Sequence, residues 1–353
     1  MKVLHLLNGK AWGGEEQYAL DVASEMLCRH LSVEVICRSA AQVHDRFAAA
    51  SIPTIKLPMG GAFDLITPIG LSKILRHTPE PVVIHAHNLS TLAMALKARR
   101  LSSRTDVRVV MTRHSAEPLE RSRSVERLLD EADALIFVSQ LARDNSLRNI
   151  TLADNSKVRV INNAIRRAPS TPAEPAEPPI IAFVGRIVPG KGLDVLIDAL
   201  ALITDRQWRL RIIGEGEASA VTPLIRRVRK HEIEDRVEWL GYVDDVAAAL
   251  KGCSIGVLPS TVVEAGPLTV LEYMDAGLVP VATGNGAQRH IIDDGEDGLL
   301  VPPIHTHRMA EALSKLLDNP QERRAMARSA RNHYLEDFSY DIFFTKLLNV
   351  YNQ

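Results

Sequence analysis

Short apolar runs, each followed by a polar loop and then a helical pattern, recur along the whole chain. The first occupies residues 3–7 and ends in the loop Asn8-Gly9-Lys10-Ala11-Trp12-Gly13-Gly14. Leu20, Val22, Ala23, Met26 and Leu27 then recur at a helical interval, which predicts a helix from residue 15 to about 29. Runs rich in β-branched residues follow at 33–37, 54–57, 82–85, 107–111, 135–138 and 158–161. Strands alternating with helical or loop stretches predict a parallel sheet covered on both faces.

Residues 166–179 read RRAPSTPAEPAEPP, a proline-rich composition that gives an extended spacer and no core. The expected organisation is therefore an N-terminal domain 1–167, a linker 168–179, a C-terminal domain 180–336 and a last helix within 337–353. The second domain repeats the alternation, with strands at 180–184, 208–213, 237–240, 255–258, 279–282 and 299–301. Between them lie GRIVPGKG, the turn Gly214-Glu215-Gly216, and helical patterns at 193–203, up to 231, near Val246, at 309–317 and at 323–334. The fold class is α/β: two doubly wound, Rossmann-like parallel-sheet domains. Ligands of such sheets bind at the carboxyl ends of the strands, so two such edges facing each other would form a cleft.

Composition narrows the class. The 353 residues suit two domains, and 46% hydrophobic residues can fill two cores. No apolar run approaches the roughly 18–20 residues of a membrane span. Cys28, Cys37 and Cys253 are too few and too scattered for a disulfide framework or a zinc pattern, which points to a reducing cytoplasm. Residues 1–167 carry 23 Lys+Arg against 17 Asp+Glu, and the remainder 19 against 26. That asymmetry suggests two domains with different partners. Residues 97–127 hold nine Lys/Arg and four Asp/Glu, a surface that could meet anionic lipid head groups at the inner face of a membrane. The balanced charge overall and 5% aromatic content argue against nucleic acid as a partner.

Candidate chemistry concentrates in residues 259–277, PSTVVEAGPLTVLEYMDAG. Pro267 suits the first helical position, Val270, Leu271 and Met274 should face a core, and Gly277 can end the helix. Glu264 then lies in the loop and Glu272 within the first two turns, on the order of 10–15 Å apart. Paired glycosidase carboxyls stand about 5 to 9.5 Å apart, so this pair fits the two ends of one long ligand better than the two sides of one bond. Free N–H groups at the helix start would meet a phosphate between them. Gly185, Arg186, Lys191 and their flanking glycines add two cations at the end of the domain's first strand, suited to a diphosphate. There is no D-x-D and no His/Cys/Asp set at metal spacing, so neither metal nor cofactor is expected.

GGEE, VGRIVPGKG, IIGEGE, E-AGPLTVL-E and IIDDGEDGLLVPP, in this order, resemble the retaining glycosyltransferases of family 4, which have the GT-B fold. The resemblance spans essentially the whole chain and is densest over 180–317. It implies a nucleotide-sugar donor, UDP- or GDP-linked, held mainly by the second domain, and a sugar or lipid-linked acceptor held mainly by the first. Arg186 and Lys191 would hold the diphosphate, Glu264 the donor sugar hydroxyls and Glu272 the ribose. Gly13, Gly14, Gly185, Gly214, Gly266, Leu268 and Thr269 would line the donor. His114, in MTRHS, matches the family histidine near the reacting sugar, with His87 of HAHN as a second candidate. The last helix would cross back onto the first domain. Many members carry an aromatic residue and glycine where this chain has Gly266-Pro267. The expected role is transfer with retained configuration in bacterial cell-surface polysaccharide, lipopolysaccharide or glycolipid synthesis. A nucleotide-sugar epimerase of the same fold would instead release nucleotide without glycosylating an acceptor, and a two-lobed binding protein would turn nothing over. A dinucleotide-dependent dehydrogenase finds only Gly214-x-Gly216, with Ser219 where its third glycine belongs.

Overall fold

A computed structural model describes residues 1–10, 12–38, 43–60, 64–167 and 172–353. The chain divides into two units, Met1–Asn162 with Phe344–Gln353, and Asn163–Phe343. Of the expected linker, residues 168–171 lie outside the described residues. Its remainder groups with the second unit, where the Ala176 N–H donates to the Gly252 carbonyl at 2.8 Å.

The N-terminal unit is built on seven strands: β1 (Lys2–Leu7), β2 (Ser32–Arg38), β3 (Thr54–Leu57), β4 (Val82–Ala86), β5 (Val107–Arg113), β6 (Ala134–Phe137) and β7 (Val158–Val160). All pairings are parallel, in the order β3-β2-β1-β4-β5-β6-β7. Val3, Leu4, Leu6, Val83, Ile84, Val109 and Val110 are all buried, as strands covered on both faces require. The order reverses between β1 and β4, so the crevice of this unit opens where those strands end. Their register sets His5 beside His85. Asn88 follows β4 and starts helix Leu89–Ser102 through a capping box with Thr91. Gly13 precedes helix Gly14–Cys28 after β1, with no side-chain cap. The last helix, Tyr340–Asn352, sends Phe344, Leu347 and Tyr351 into the core of this unit. Tyr351 Oη lies 2.6 Å from His85 Nδ1.

The C-terminal unit has six strands: β8 (Ile180–Val184), β9 (Arg209–Ile213), β10 (Val237–Gly241), β11 (Cys253–Leu258), β12 (Val279–Thr283) and β13 (Leu299–Val301). They too are parallel, in the order β10-β9-β8-β11-β12-β13, and the reversal falls between β8 and β11. Phe183, Leu196, Trp208, Val257, Val281 and Leu313 pack in one core cluster. Helix Leu268–Asp275 buries Val270, Leu271 and Met274, as its periodicity predicts. Pro267 is the residue before the helix, one position earlier than expected: its ψ of 102° is extended, and its carbonyl accepts the Val270 N–H at 3.2 Å. Gly277, at φ +76°, ends the helix. The Gly277 N–H reaches Met274 and the Leu278 N–H reaches Tyr273, the Schellman pattern.

Candidate active site

In the C-terminal unit the loops after β8 and β11 meet at the switch point. The meeting requires glycine: a Cβ on Gly192 would stand 1.9 Å from the Pro259 carbonyl oxygen, and its φ is +70°. Gly214, at φ +137°, is held as tightly, since its Cβ would lie 1.9 Å from the Gly185 carbonyl oxygen. Thr261 N–H donates to the Gly190 carbonyl at 2.8 Å and fastens the two loops.

That contact brings Lys191 Nζ to 2.7 Å from Glu264 Oε1. Ser260 Oγ donates to the same oxygen at 2.5 Å, and Thr283 Oγ1 donates to the Ser260 carbonyl at 2.6 Å. The Glu264 carbonyl accepts the Ala287 N–H at 2.8 Å. Glu264 is thus held at side chain and backbone, with one carboxylate oxygen committed. An ammonium has three donors, so Lys191 can hold Glu264 and still offer two to a ligand. Arg186 stands on the same loop, exposed, with no ion pair among the described residues. Helix Leu268–Asp275 begins without a side-chain cap, so the N–H groups of Leu268 and Thr269 present its positive end. Gly266 precedes it, and its carbonyl accepts from Asn163 Nδ2 at 3.2 Å.

Glu272 takes a different partner. Burial pushes its carboxyl up to about 7, opposed by the charge of Arg167. Arg167 is itself anchored on buried Asp275, which also pairs with Arg331. Lys191 and Glu264 are therefore joined across the two loops, Arg186 shares the loop of Lys191, and Glu272 sits on the helix that follows Glu264, beside a different cation. A cavity of about 470 Å³ also opens in this unit, lined by Ile187, Pro189, Leu193, Leu224, Thr261 and Ile304. None of these four charged residues lines it.

In the N-terminal unit the corresponding edge is made of imidazoles. His5 Nδ1 lies 3.0 Å from His87 Nε2, and His87 Nδ1 lies 3.0 Å from His114 Nε2. His85 lies between Tyr351 and Thr112, its Nε2 at 2.7 Å from Thr112 Oγ1. Burial pushes His5 and His114 down to about 3, and holds His85 and His87 well below the usual range. All four are neutral at physiological pH. His5, His85 and His87 are close enough for three nitrogens to approach one ion. Their rings do not fit one, however. His5 Nδ1 and His87 Nε2 already hydrogen-bond each other at 3.0 Å, and His85 is held by Tyr351 and Thr112, so an ion would have to displace those bonds. Asp293, Asp297 and His333 also cluster, but Asp297 is already shared between the Asp293 N–H and His333 Nδ1.

Gly13 and Gly14 border this edge. Gly13 is extended at φ −152°, where a Cβ would stand 3.3 Å from Glu16 Oε2, and a Cβ on Gly14 would meet nothing within 4 Å, so internal packing does not demand glycine at position 14. Asn88 Nδ2 joins Asn8 Oδ1 at 2.9 Å and Glu15 Oε2 at 3.2 Å, and burial raises the Glu15 carboxyl. Sequence reasoning did not single out His5, Ser260, Arg167, Glu15 or Asn88. His5 was discoverable, because β1 and β4 pair in register and place it opposite His85.

Comparison with known proteins decides the class. A model of glycosyl transferases group 1 matches residues 165–333, and a model of glycosyltransferase family 4 matches residues 12–168. The chain is a family 4 glycosyltransferase. It is 27% identical over 297 residues to an α-D-kanosaminyltransferase of Streptomyces kanamyceticus, covering 76% of this chain and 77% of that one. It is 24% identical to a phosphatidyl-myo-inositol mannosyltransferase of Mycobacterium leprae, covering 96% and 92%. Anabaena HepE, solved in complex with UDP, superposes with a TM-score of 0.84 over all of both chains at 19% identity. The glycosyltransferase has the GT-B fold, with its two Rossmann-like parallel-sheet domains. Among the described residues no helix is long and apolar enough to cross a membrane.

Proposed function

We propose that this glycosyltransferase moves a sugar from a nucleoside diphosphate to an acceptor hydroxyl with retained anomeric configuration and without a metal ion. The observation that carries the reading is the Lys191–Glu264 pair, with Arg186 on the loop of Lys191 and without an ion pair among the described residues. Lys191 and Arg186 neutralise the diphosphate as it leaves, a role that elsewhere falls to a divalent cation. Glu264, held by Lys191 and Ser260, is an acceptor for donor-sugar hydroxyls and not a free nucleophile. The reaction then proceeds on one face. The acceptor oxygen bonds the anomeric carbon, the bond from that carbon to the phosphate oxygen breaks, and the hydroxyl proton passes to the leaving phosphate. Glu272 holds the ribose, and Leu268 and Thr269 direct their N–H groups at phosphate. On the N-terminal unit, neutral His114 serves as a hydrogen-bonding group for sugar, since an imidazole held near 3 is too weak a base to keep a proton.

HepE was solved with UDP, which favours trying UDP-sugars first and GDP-sugars next. Acceptors are sugars or lipid-linked sugars of cell-surface polymers, met by a chain at the inner face of a membrane. Thermal melting with each nucleotide sugar identifies the donor, because binding raises the melting point with affinity. Proton NMR of the product then reports the anomer. Retention and full activity in chelator are expected; inversion, or loss that magnesium restores, would overturn the mechanism.

A further inference from the structure

The three imidazoles His5, His87 and His114 form one hydrogen-bonded row. His5 and His87 are fully enclosed, at 0% and 1% exposure, while His114 reaches solvent in part. The inner end of the row is open: His5 Nε2 is buried without a hydrogen-bond partner among the described residues. A neutral imidazole has one N–H and one lone pair. That rule leaves only two states for the row. If His87 carries its proton on Nδ1, it donates to His114 Nε2, and its own Nε2 accepts from His5 Nδ1–H. If it carries the proton on Nε2, both bonds reverse. Either way the three rings share one tautomer, and the outermost nitrogen, His114 Nδ1, is a donor in the first state and an acceptor in the second.

The buried end separates the two. In the first state His5 Nε2 is an unused lone pair; in the second it is an N–H orphaned in the core. Orphaned buried N–H groups are the rarer of the two in folded proteins. We propose that His5 and His87 are positioning residues that hold His114 in its Nδ1–H form, so that it presents a hydrogen-bond donor, and no lone pair, to the ligand. Neither inner ring touches substrate in this scheme. Each acts through the next ring, over two bonds of 3.0 Å. His85 stands outside the row, because its partners Thr112 and Tyr351 are hydroxyls that serve either tautomer.

The kinetic consequence rests on the proposed role of His114, whereas the tautomer does not, so the two are measured separately. Ring-nitrogen NMR of the protein with 15N-labelled histidine should show His5, His87 and His114 each protonated on Nδ1, with Nε2 bare. His114 protonated on Nε2, or the three rings in different tautomers, would overturn the proposal, and this spectrum needs no variant to fold. His5→Phe keeps a ring in the stack but removes the donor. It should turn His114 into a mixture of tautomers and lower kcat about tenfold, with the donor KM changed less than twofold. His5→Asn, whose amide can donate where Nδ1 does, should restore kcat to within threefold. If His5→Phe melts normally and leaves the His114 ring signals unchanged, His5 does not position it. If the tautomers behave as stated but no sugar transfer is found with any donor, the row survives and the catalytic reading fails.

Discussion

The two units share a parallel doubly wound sheet with one reversal in strand order, yet the chemistry at the reversal is opposite. The N-terminal edge carries bases kept neutral by burial, His5, His85, His87 and His114. The C-terminal edge carries a formed ion pair, Lys191–Glu264, and an acid, Glu272, held up to about 7. A topology supplies the place for a site and not its charge; the side chains that end β1 and β4, or β8 and β11, decide that.

The largest expected effect turns this difference into opposite responses to acid. A buried histidine near 3 binds fewer protons folded than unfolded, where its value is about 6.5. Stability contributed by keeping it neutral is present above 6.5 and lost as pH falls toward 3. His5 alone should cost the N-terminal unit about 2 kcal/mol between pH 8 and 5. His85, His87 and His114 act in the same direction, while Glu15 and Glu16, raised by burial, oppose them. Glu272 works the other way. Its folded value lies above the unfolded one, so its contribution is full below about 4.5 and is lost as pH rises through about 7. Hydrogen exchange at pH 8 and pH 5 should therefore show protection falling in β1, β4 and β5 but not in β8 and β11. Equal losses in both units would break the comparison.

Next in size is the ion pair. Lys191→Ala or Glu264→Ala should lower kcat about 100- to 1,000-fold, the range for one preorganised charge partner at a transition state. The double variant should cost little more than the worse single, because the two act as a unit. Fully additive losses would show that they work separately. Arg186→Ala, which breaks no pair, should weaken donor binding at an unchanged melting point.

The sequence made most of this legible, for identifiable reasons. Strand runs covered on both faces are continuous and apolar, so the thirteen strands among the described residues fall at or within a residue or two of the expected runs. The stretch around Glu264 announces itself through glycines, a proline and a helical period. The histidine row was half visible. His87 and His114 end strands, but His5 sits inside one, in HLL, where a lone polar residue reads as an exception. Only strand order, which pairs β1 with β4, gives it company. Arg167 was missed for a related reason: it lies in the segment read as the start of the spacer, and its relation to Glu272 is made by tertiary packing on Asp275.

A smaller effect follows from Glu272. With the carboxyl near 7, lowering pH through neutrality protonates it and would weaken the hydrogen bonds to ribose hydroxyls that we propose for it. Nucleotide affinity should fall several-fold between pH 8 and pH 6, about 1 kcal/mol, and Glu272→Gln should bind weakly but without that slope. A slope that persists in the variant would assign the titration to another group.

The smallest effect concerns the surface. The basic character of residues 97–127 is partly cancelled in the fold: Arg99 pairs with Asp133, Arg100 with Glu131 and Arg104 with Asp106. Arg121, Arg123 and Arg127, at and within helix Arg123–Glu131, stay exposed with no ion pair among the described residues. If the N-terminal unit meets an anionic membrane, these three carry the attraction, at about 1 kcal/mol each. Arg123→Ala should then reduce sedimentation with phosphatidylserine vesicles about fivefold and leave binding to neutral vesicles unchanged. Substituting the paired Arg100 should do much less. Equal effects at Arg100 and Arg123, or binding indifferent to lipid charge, would show that net charge is no guide to which face of this unit meets a partner.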